Sequence, residues 1–183
     1  MRVPYTNFKI RTGDDTAIGG CGFIGGEWKD LDTAEIFGNK KVVVFALPGA
    51  FTPTCSSQQL PGYEEMYDEF IAQGIDEVYC VSVNDAFVMN AWFINQDIKK
   101  VKPIGDGTAV FTQGLGMLVN KDHLGFGMRS WRYSMLVNDG EIVKQFVEEG
   151  QNNSSDDNDP FEVSDAKTML EFLKDFKAKR GNV

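Results

Sequence analysis

The chain has 183 residues, of which 42% are hydrophobic and 12% aromatic, and its formal net charge is -9 at pH 7. This length and composition predict a single domain, residues 1–183, and the acidic charge without any basic cluster argues against nucleic acid or anionic membranes as partners. No apolar run approaches the ~18 residues of a membrane span and the N-terminus has no apolar signal core, so we expect a cytoplasmic protein.

The predicted elements of the first half alternate between strands and helices. A β-branched, apolar run at residues 41–47 predicts a strand that is buried on both faces. A long amphipathic helix is expected over residues 53–73, with a kink at Pro61 because proline has no N–H to donate. Residues 77–83 predict the next strand, and Asn84-Asp85 are typical caps of a second helix.

The second half continues the pattern and ends with a hairpin. Residues 102–104 predict a strand and residues 108–115 a short helix. Residues 132–137 and 141–147 predict the two strands of a hairpin, and Ser164 is expected to cap a closing helix. The hairpin depends on Asn138-Asp139-Gly140, a strong turn signal. Loops are expected at the glycine-rich residues 18–26 and the acidic residues 148–160. This order predicts an α/β, thioredoxin-like fold with a central mixed sheet flanked by helices.

The most informative segment is Pro48-Gly49-Ala50-Phe51-Thr52-Pro53-Thr54-Cys55, between the first apolar strand and the long helix. It places Cys55 at the start of a helix, three residues after the Thr52 hydroxyl. A free cysteine has a pKa of about 8.5, and helix N-termini and nearby cations lower this value. The position therefore favours a reactive thiolate. A dithiol enzyme would carry a cysteine where Thr52 stands, so dithiol-disulfide exchange is not expected here.

Few other side chains compete for a catalytic role. Three cysteines and one histidine argue against a disulfide-stapled scaffold and against a histidine-rich zinc site, and we predict no bound metal. Cys80 falls within a predicted strand and is expected to be inert. Cys21, in the glycine-rich loop, is expected to be incidental, with a resolving or glutathionylated thiol as the alternative. His123 is expected to be a polar loop residue, and Arg129 a solvated charge or a supporting contact.

The motif around Cys55 resembles the peroxidatic motif of the peroxiredoxins, Pro-x-x-x-Thr-x-x-Cys. With Val83-Asn84-Asp85-Ala86-Phe87 and Arg132-Tyr133-Ser134-Met135, it is similar to the peroxiredoxin-5 type over about residues 37–173, and closest to bacterial members that occur alone or fused to a glutaredoxin. The resemblance implies that Cys55 is the peroxidatic nucleophile and that Thr52 positions the peroxide. It also implies that Pro48 shields the site and that Arg132 brings its guanidinium to the sulfur.

The same resemblance implies a thiol-dependent peroxidase that needs no bound cofactor and reduces hydrogen peroxide and organic hydroperoxides. It also implies a homodimer, for which Phe51, Phe87 and residues 114–127 offer apolar rims. No cysteine follows Cys80, so oxidised Cys55 must be reduced by Cys21, by another molecule or by a small thiol. We expect glutathione with glutaredoxin, and thioredoxin is the alternative. A dithiol oxidoreductase, a redox sensor or holdase without enzymatic activity, and a cysteine hydrolase are the competing hypotheses.

Overall fold

The structure, a computed structural model, describes residues 1–13, 16–18, 22–153 and 158–180. The strands are β1 Asn7–Thr12, β2 Thr16–Ile18, β3 Gly22–Ile24, β4 Glu27–Asp32, β5 Lys41–Ala46, β6 Glu77–Ser82, β7 Lys102–Gly105, β8 Leu118–Asn120, β9 Met128–Ser130, β10 Tyr133–Asn138 and β11 Glu141–Val147. The helices are α1 Thr33–Phe37, α2 Leu60–Glu65, α3 Tyr67–Ala72, α4 Ala86–Asn95, α5 Val110–Gly114 and α6 Ala166–Arg180. A π-helical turn, Cys55–Gln59, precedes α2, and a 3₁₀ turn, Asp122–Leu124, precedes β9.

A five-stranded mixed sheet in the order β11-β10-β5-β6-β7 forms the centre of the described structure. Strands β5, β6 and β7 run parallel, and β10 is antiparallel to both β5 and β11. Every residue of β5 after Lys41 is buried, which agrees with the prediction from its β-branched sequence. The central mixed sheet with helices on its faces confirms the predicted α/β class.

Apolar side chains fill both faces of this sheet. On one face Phe45 stacks on Tyr63 with ring centroids 3.9 Å apart, and Cys55 is buried in the same cluster. On the other face Phe8 contacts Phe111 edge-on at 5.4 Å. Burying one large apolar side chain stabilises a fold by about 1.5–3 kcal/mol. The helix that carries Cys55 is therefore held on the sheet by the core itself.

The long helix predicted over residues 53–73 is divided into three segments. The N–H of Leu60 donates to the carbonyl of Cys55, five residues earlier, which makes the first segment a π-helical turn. Pro61 follows directly, and because it has no N–H the regular ladder is interrupted here, where the kink was predicted. A second break at Met66, with φ -91° and ψ 5°, separates α2 from α3 and was not predicted.

The hairpin turn agrees with its prediction, and the start of the last helix does not. Asp139 and Gly140 have φ of 46° and 75°, the left-handed pair that a tight hairpin needs. Helix α6 begins one residue later than predicted, because the Asp165 carboxylate, not Ser164, accepts the N–H of Thr168 at 3.0 Å.

Both predicted loops differ from expectation in part. Residues 18–26 include β3, which pairs with β2 in an antiparallel ribbon, and Cys21 lies outside the described residues. At the start of the predicted surface loop, Glu148 is only 2% exposed. Its Oε1 accepts the N–H groups of residues 162–164 at 2.9 Å each, so the carboxylate organises the backbone that leads into α6.

None of the helices in the described ranges is long and apolar enough to span a membrane.

Candidate active site

The turn after β5 presents the predicted motif at the carboxyl end of the parallel strands. Pro48 is buried, and the hydroxyl of half-buried Thr52 donates to the Gly49 carbonyl at 2.7 Å. The N–H of Ala50 donates to Oδ1 of Asn84 at 3.0 Å, which ties this turn to the one that follows β6. Phe51 has φ of 63°, so the turn is tight and leaves its ring 54% exposed. The motif is thus fixed by contacts from two adjacent strand ends.

Cys55 and Arg132 meet below this turn. Cys55 begins the π-helical turn and is fully buried, and Arg132 Nη1 donates to its Sγ at 3.4 Å. Arg132 directly precedes β10, whose first residue, Tyr133, pairs with Ala46 at the end of β5. Because β10 is antiparallel to β5, this register places Arg132 beside the turn that leads to Cys55. The structure therefore brings Cys55 and Arg132 into contact and places Pro48 and Thr52 in the turn that leads to Cys55.

The Arg132 side chain is only 1% exposed, and its guanidinium has two further hydrogen-bond partners among the described residues. Nη1 also donates to Oε1 of Gln59 at 2.5 Å, and Nη2 forms an ion pair with Asp159. Burial opposes the charge, but the sulfur of Cys55 and the carboxylate of Asp159 together raise the pKa of Arg132 above its ordinary value. The site thus contains a buried, permanent cation in contact with the sulfur.

Sequence reasoning missed both of these partners. Gln59 lies four residues after Cys55, a spacing that places two side chains on one helical face, so this signal was available. Asp159 belongs to an irregular segment that no periodicity describes, and only the folded chain shows that it reaches Arg132.

Arg129 lies against the same turn from the side of β9. Its Nε donates to the Phe126 carbonyl at 3.0 Å and its Nη1 to the Pro48 carbonyl at 3.4 Å. A methyl group on Gly49 would lie 2.9 Å from Nη1, so the guanidinium packs where only glycine leaves room. Burial lowers the pKa of Arg129. Of the two expectations for Arg129, these contacts favour the supporting one.

The remaining candidates, Cys80 and His123, form no hydrogen bond with Cys55 or Arg132 among the described residues. Cys80 is fully buried within β6, as predicted, and burial, with a smaller contribution from Cys55, raises the pKa of its thiol. His123 is exposed in the 3₁₀ turn, as predicted. No group of three or more His, Cys, Asp or Glu side chains in the described ranges is arranged to hold a metal ion. In this arrangement the sulfur can attack an electrophilic atom, and the fixed guanidinium beside it can stabilise the negative charge that develops on the leaving group.

Comparison with known proteins agrees with this chemistry. The family model described as Redoxin matches residues 22–170. The chain is 54% identical to a peroxiredoxin of Synechocystis sp., over 97% of this chain and 92% of that protein. It is 49% identical to a hybrid peroxiredoxin of Haemophilus influenzae, hyPrx5, over 94% of this chain and 64% of that longer protein.

A solved structure gives the same result. The crystal structure of the Plasmodium falciparum antioxidant protein, a 1-Cys peroxiredoxin, is 37% identical and has a TM-score of 0.83, covering 96% of this chain and 97% of that one. The range that the family model matches, residues 22–170, includes Cys55 and Arg132. The chain therefore belongs to the Redoxin family, and it is a peroxiredoxin of the peroxiredoxin-5 type, an enzyme that reduces peroxides with thiols.

Proposed function

We propose that Cys55 is the single cysteine oxidised by peroxide, that its substrates are hydrogen peroxide and organic hydroperoxides, and that glutathione with glutaredoxin restores it. The observation that carries this proposal is the contact of 3.4 Å between Arg132 Nη1 and Cys55 Sγ. A guanidinium stays protonated when buried, so it places a fixed positive charge at the sulfur without any histidine. The proposal therefore needs neither a bound cofactor nor a metal.

The first step is attack of the Cys55 sulfur on one peroxide oxygen. The S–O bond forms while the O–O bond breaks, and the leaving oxygen takes a proton and departs as water or an alcohol. Negative charge develops on that oxygen, and the preorganised guanidinium of Arg132 stabilises it without reorganisation of solvent. The product is a sulfenic acid on Cys55.

Thr52 and Pro48 orient the peroxide in this scheme. The Thr52 hydroxyl has one proton, which it donates to the Gly49 carbonyl, so toward a substrate its oxygen can only accept. It therefore accepts the O–H of the peroxide and turns the O–O bond toward the sulfur. Pro48 has no N–H that would compete for the peroxide, and its buried ring keeps water from the turn.

The recycling step is assigned to an external thiol because Cys80 is poorly placed for it. Cys80 lies fully buried in β6, between β5 and β7, and burial raises the pKa of its thiol, which leaves little thiolate to attack a sulfenic acid. Glutathione attacks the sulfenyl sulfur, water leaves, and glutaredoxin removes the glutathionyl group from the resulting mixed disulfide. We also propose a homodimer, because Phe51 and Leu124 each expose 54% of their surface to solvent.

The test is peroxide consumption with glutathione plus glutaredoxin, compared with thioredoxin plus its reductase. Cys55→Ser should abolish turnover, and Arg132→Met should slow the peroxide step by about 10²–10³-fold. Cys80→Ala and Cys21→Ser should keep turnover near that of the wild type. A collapse in Cys21→Ser would reject the external thiol, faster turnover with thioredoxin would reassign the reductant, and residual turnover in Cys55→Ser would reject the whole scheme. Sedimentation velocity checks the dimer.

A further inference from the structure

Arg129 has unused hydrogen-bonding capacity beside the active-site turn. A guanidinium carries five N–H donors, and within the described part of the chain Arg129 uses two groups, Nε and Nη1, to donate to the carbonyls of Phe126 and Pro48. No carboxylate of the described residues forms an ion pair with it, whereas Arg132, three residues later, is paired with Asp159. A half-buried guanidinium without a counter-ion is unusual, because its desolvation is not compensated.

The position of this guanidinium is fixed by the turn itself. The point where a Gly49 side chain would begin lies 2.9 Å from Arg129 Nη1 and 3.2 Å from Thr52 Cγ2, so Arg129 and Thr52 flank one small space. The Phe126 ring lies under the guanidinium, 5.4 Å from its carbon, and restricts its movement. The cation is therefore held within the segment that leads to Cys55.

We propose that Arg129 is the docking site for a carboxylate of the small thiol that reduces oxidised Cys55. This inference rests on the proposed recycling by an external thiol. Planar guanidinium groups bind carboxylates through paired N–H donors, and glutathione carries two carboxylates at neutral pH. Cys55 has no exposed surface, so a thiol of this size must wait at the turn until the first helical segment moves. A carboxylate held at Arg129 keeps the thiol there and raises its effective concentration.

The step that docking assists is balanced in atoms and electrons. The glutathione thiolate attacks the Cys55 sulfenyl sulfur, a S–S bond forms, and the S–O bond breaks. The departing oxygen takes a proton and leaves as water. The Cys55 sulfur is reduced and the glutathione sulfur is oxidised, so no further reductant enters at this point.

The experiment compares two thiols that differ in carboxylates only. Cys55 is oxidised with one equivalent of hydrogen peroxide and then mixed with glutathione or with glutathione diethyl ester. The measured quantity is the rate constant with glutathione divided by the rate constant with the ester. Arg129→Met should lower this ratio about tenfold, since charge-assisted hydrogen bonds are worth at least that factor, and Arg129→Lys should lower it less. Lys144→Met, which removes an exposed cation from β11, is the matched control and should leave the ratio unchanged.

Salt dependence of the wild-type protein gives a second measurement if Arg129→Met does not fold. Docking at a local cation predicts that added salt lowers the ratio. Repulsion by the net charge of -9 alone predicts the opposite, a faster reaction of anionic glutathione at high salt.

An unchanged ratio in Arg129→Met, or a ratio that rises with salt, overturns the inference. A loss of dimer mass in Arg129→Met would assign the cation to a subunit contact and would also overturn it. If peroxide forms no sulfenic acid in the wild type, detected as a dimedone adduct by mass, the proposed function fails before docking is tested.

Discussion

Replacing Asp159 with asparagine removes the carboxylate that pairs with the buried guanidinium of Arg132. The Arg132 side chain is 1% exposed and that of Asp159 is 43% exposed, so one member of the pair is dry and the other partly hydrated. Breaking a fully buried pair costs about 3–5 kcal/mol, because an uncompensated charge stays inside the protein. Water at Asp159 screens part of this interaction, and we expect Asp159→Asn to lower the free energy of unfolding by about 1–2 kcal/mol.

Urea denaturation at pH 7 measures this loss directly. The matched control is Asp175→Asn, which removes an exposed carboxylate from α6 and should change the unfolding free energy by less than about 0.5 kcal/mol. An Asp159→Asn protein as stable as this control would show that the ion pair contributes nothing, and would refute the reasoning about the buried guanidinium.

The same variant separates support of the guanidinium from contact with the sulfur. Asp159→Asn leaves the contacts of Arg132 with Cys55 and Gln59 in place, so the peroxide step should slow by less than about tenfold. Arg132→Met removes the group at the sulfur and should slow it by about 10²–10³-fold. Stopped-flow measurement of the peroxide step decides between them. Equal losses in the two variants would mean that Asp159 affects the reaction as strongly as Arg132 itself.

Three further substitutions test other parts of the structure. Glu148→Ala removes the acceptor of three backbone N–H groups and of the Ser164 hydroxyl, and should cost about 2–4 kcal/mol in urea denaturation; a smaller loss would mean that water replaces the carboxylate. Burial raises the pKa of Asp106, so its contribution to stability is present below the unfolded value of about 3.9 and is lost as pH rises through the folded value. Wild type should therefore gain stability relative to Asp106→Asn as pH falls from 7 toward 4, and a constant difference would contradict this. Gly49→Ala places a methyl group 2.9 Å from Arg129 Nη1 and 3.2 Å from Thr52 Cγ2. It should shift the turn that orients the peroxide and so slow the peroxide step, whereas an unchanged rate would show that these side chains move aside without disturbing the turn.

Local sequence signals predicted most of the framework because those elements depend on neighbours along the chain. The apolar run of β5 and the Asp139-Gly140 turn each carry their own structural preference. The motif from Pro48 to Cys55 is likewise contiguous, so its arrangement around one turn follows from the chain. Arg132 was found only through the resemblance, since its approach to Cys55 depends on the register of β10 against β5.

The contacts that sequence reasoning missed are those that compensate buried charge. Glu148 begins an acidic, polar stretch, which is typical of a surface loop, yet it is buried because residues 162–164 supply the N–H donors that a carboxylate needs. Asp159 belongs to the same stretch and reaches Arg132. No local pattern encodes either contact, because each depends on where a distant segment returns to the core.

Burial of Arg132 and reactivity of Cys55 depend on the same contacts. The guanidinium has three acceptors: a neutral amide oxygen of Gln59, the carboxylate of Asp159 and the sulfur of Cys55. The amide satisfies a donor but does not balance a charge, so among the described residues Asp159 is the carboxylate that balances the buried cation. The hydrogen bond to the Cys55 sulfur therefore serves both the reaction and the burial of the guanidinium. Oxidation of the sulfur alters one of these three acceptors, so Arg132 then depends more on Asp159. The stability loss caused by Asp159→Asn should therefore be greater in the sulfenic acid form than in the reduced protein.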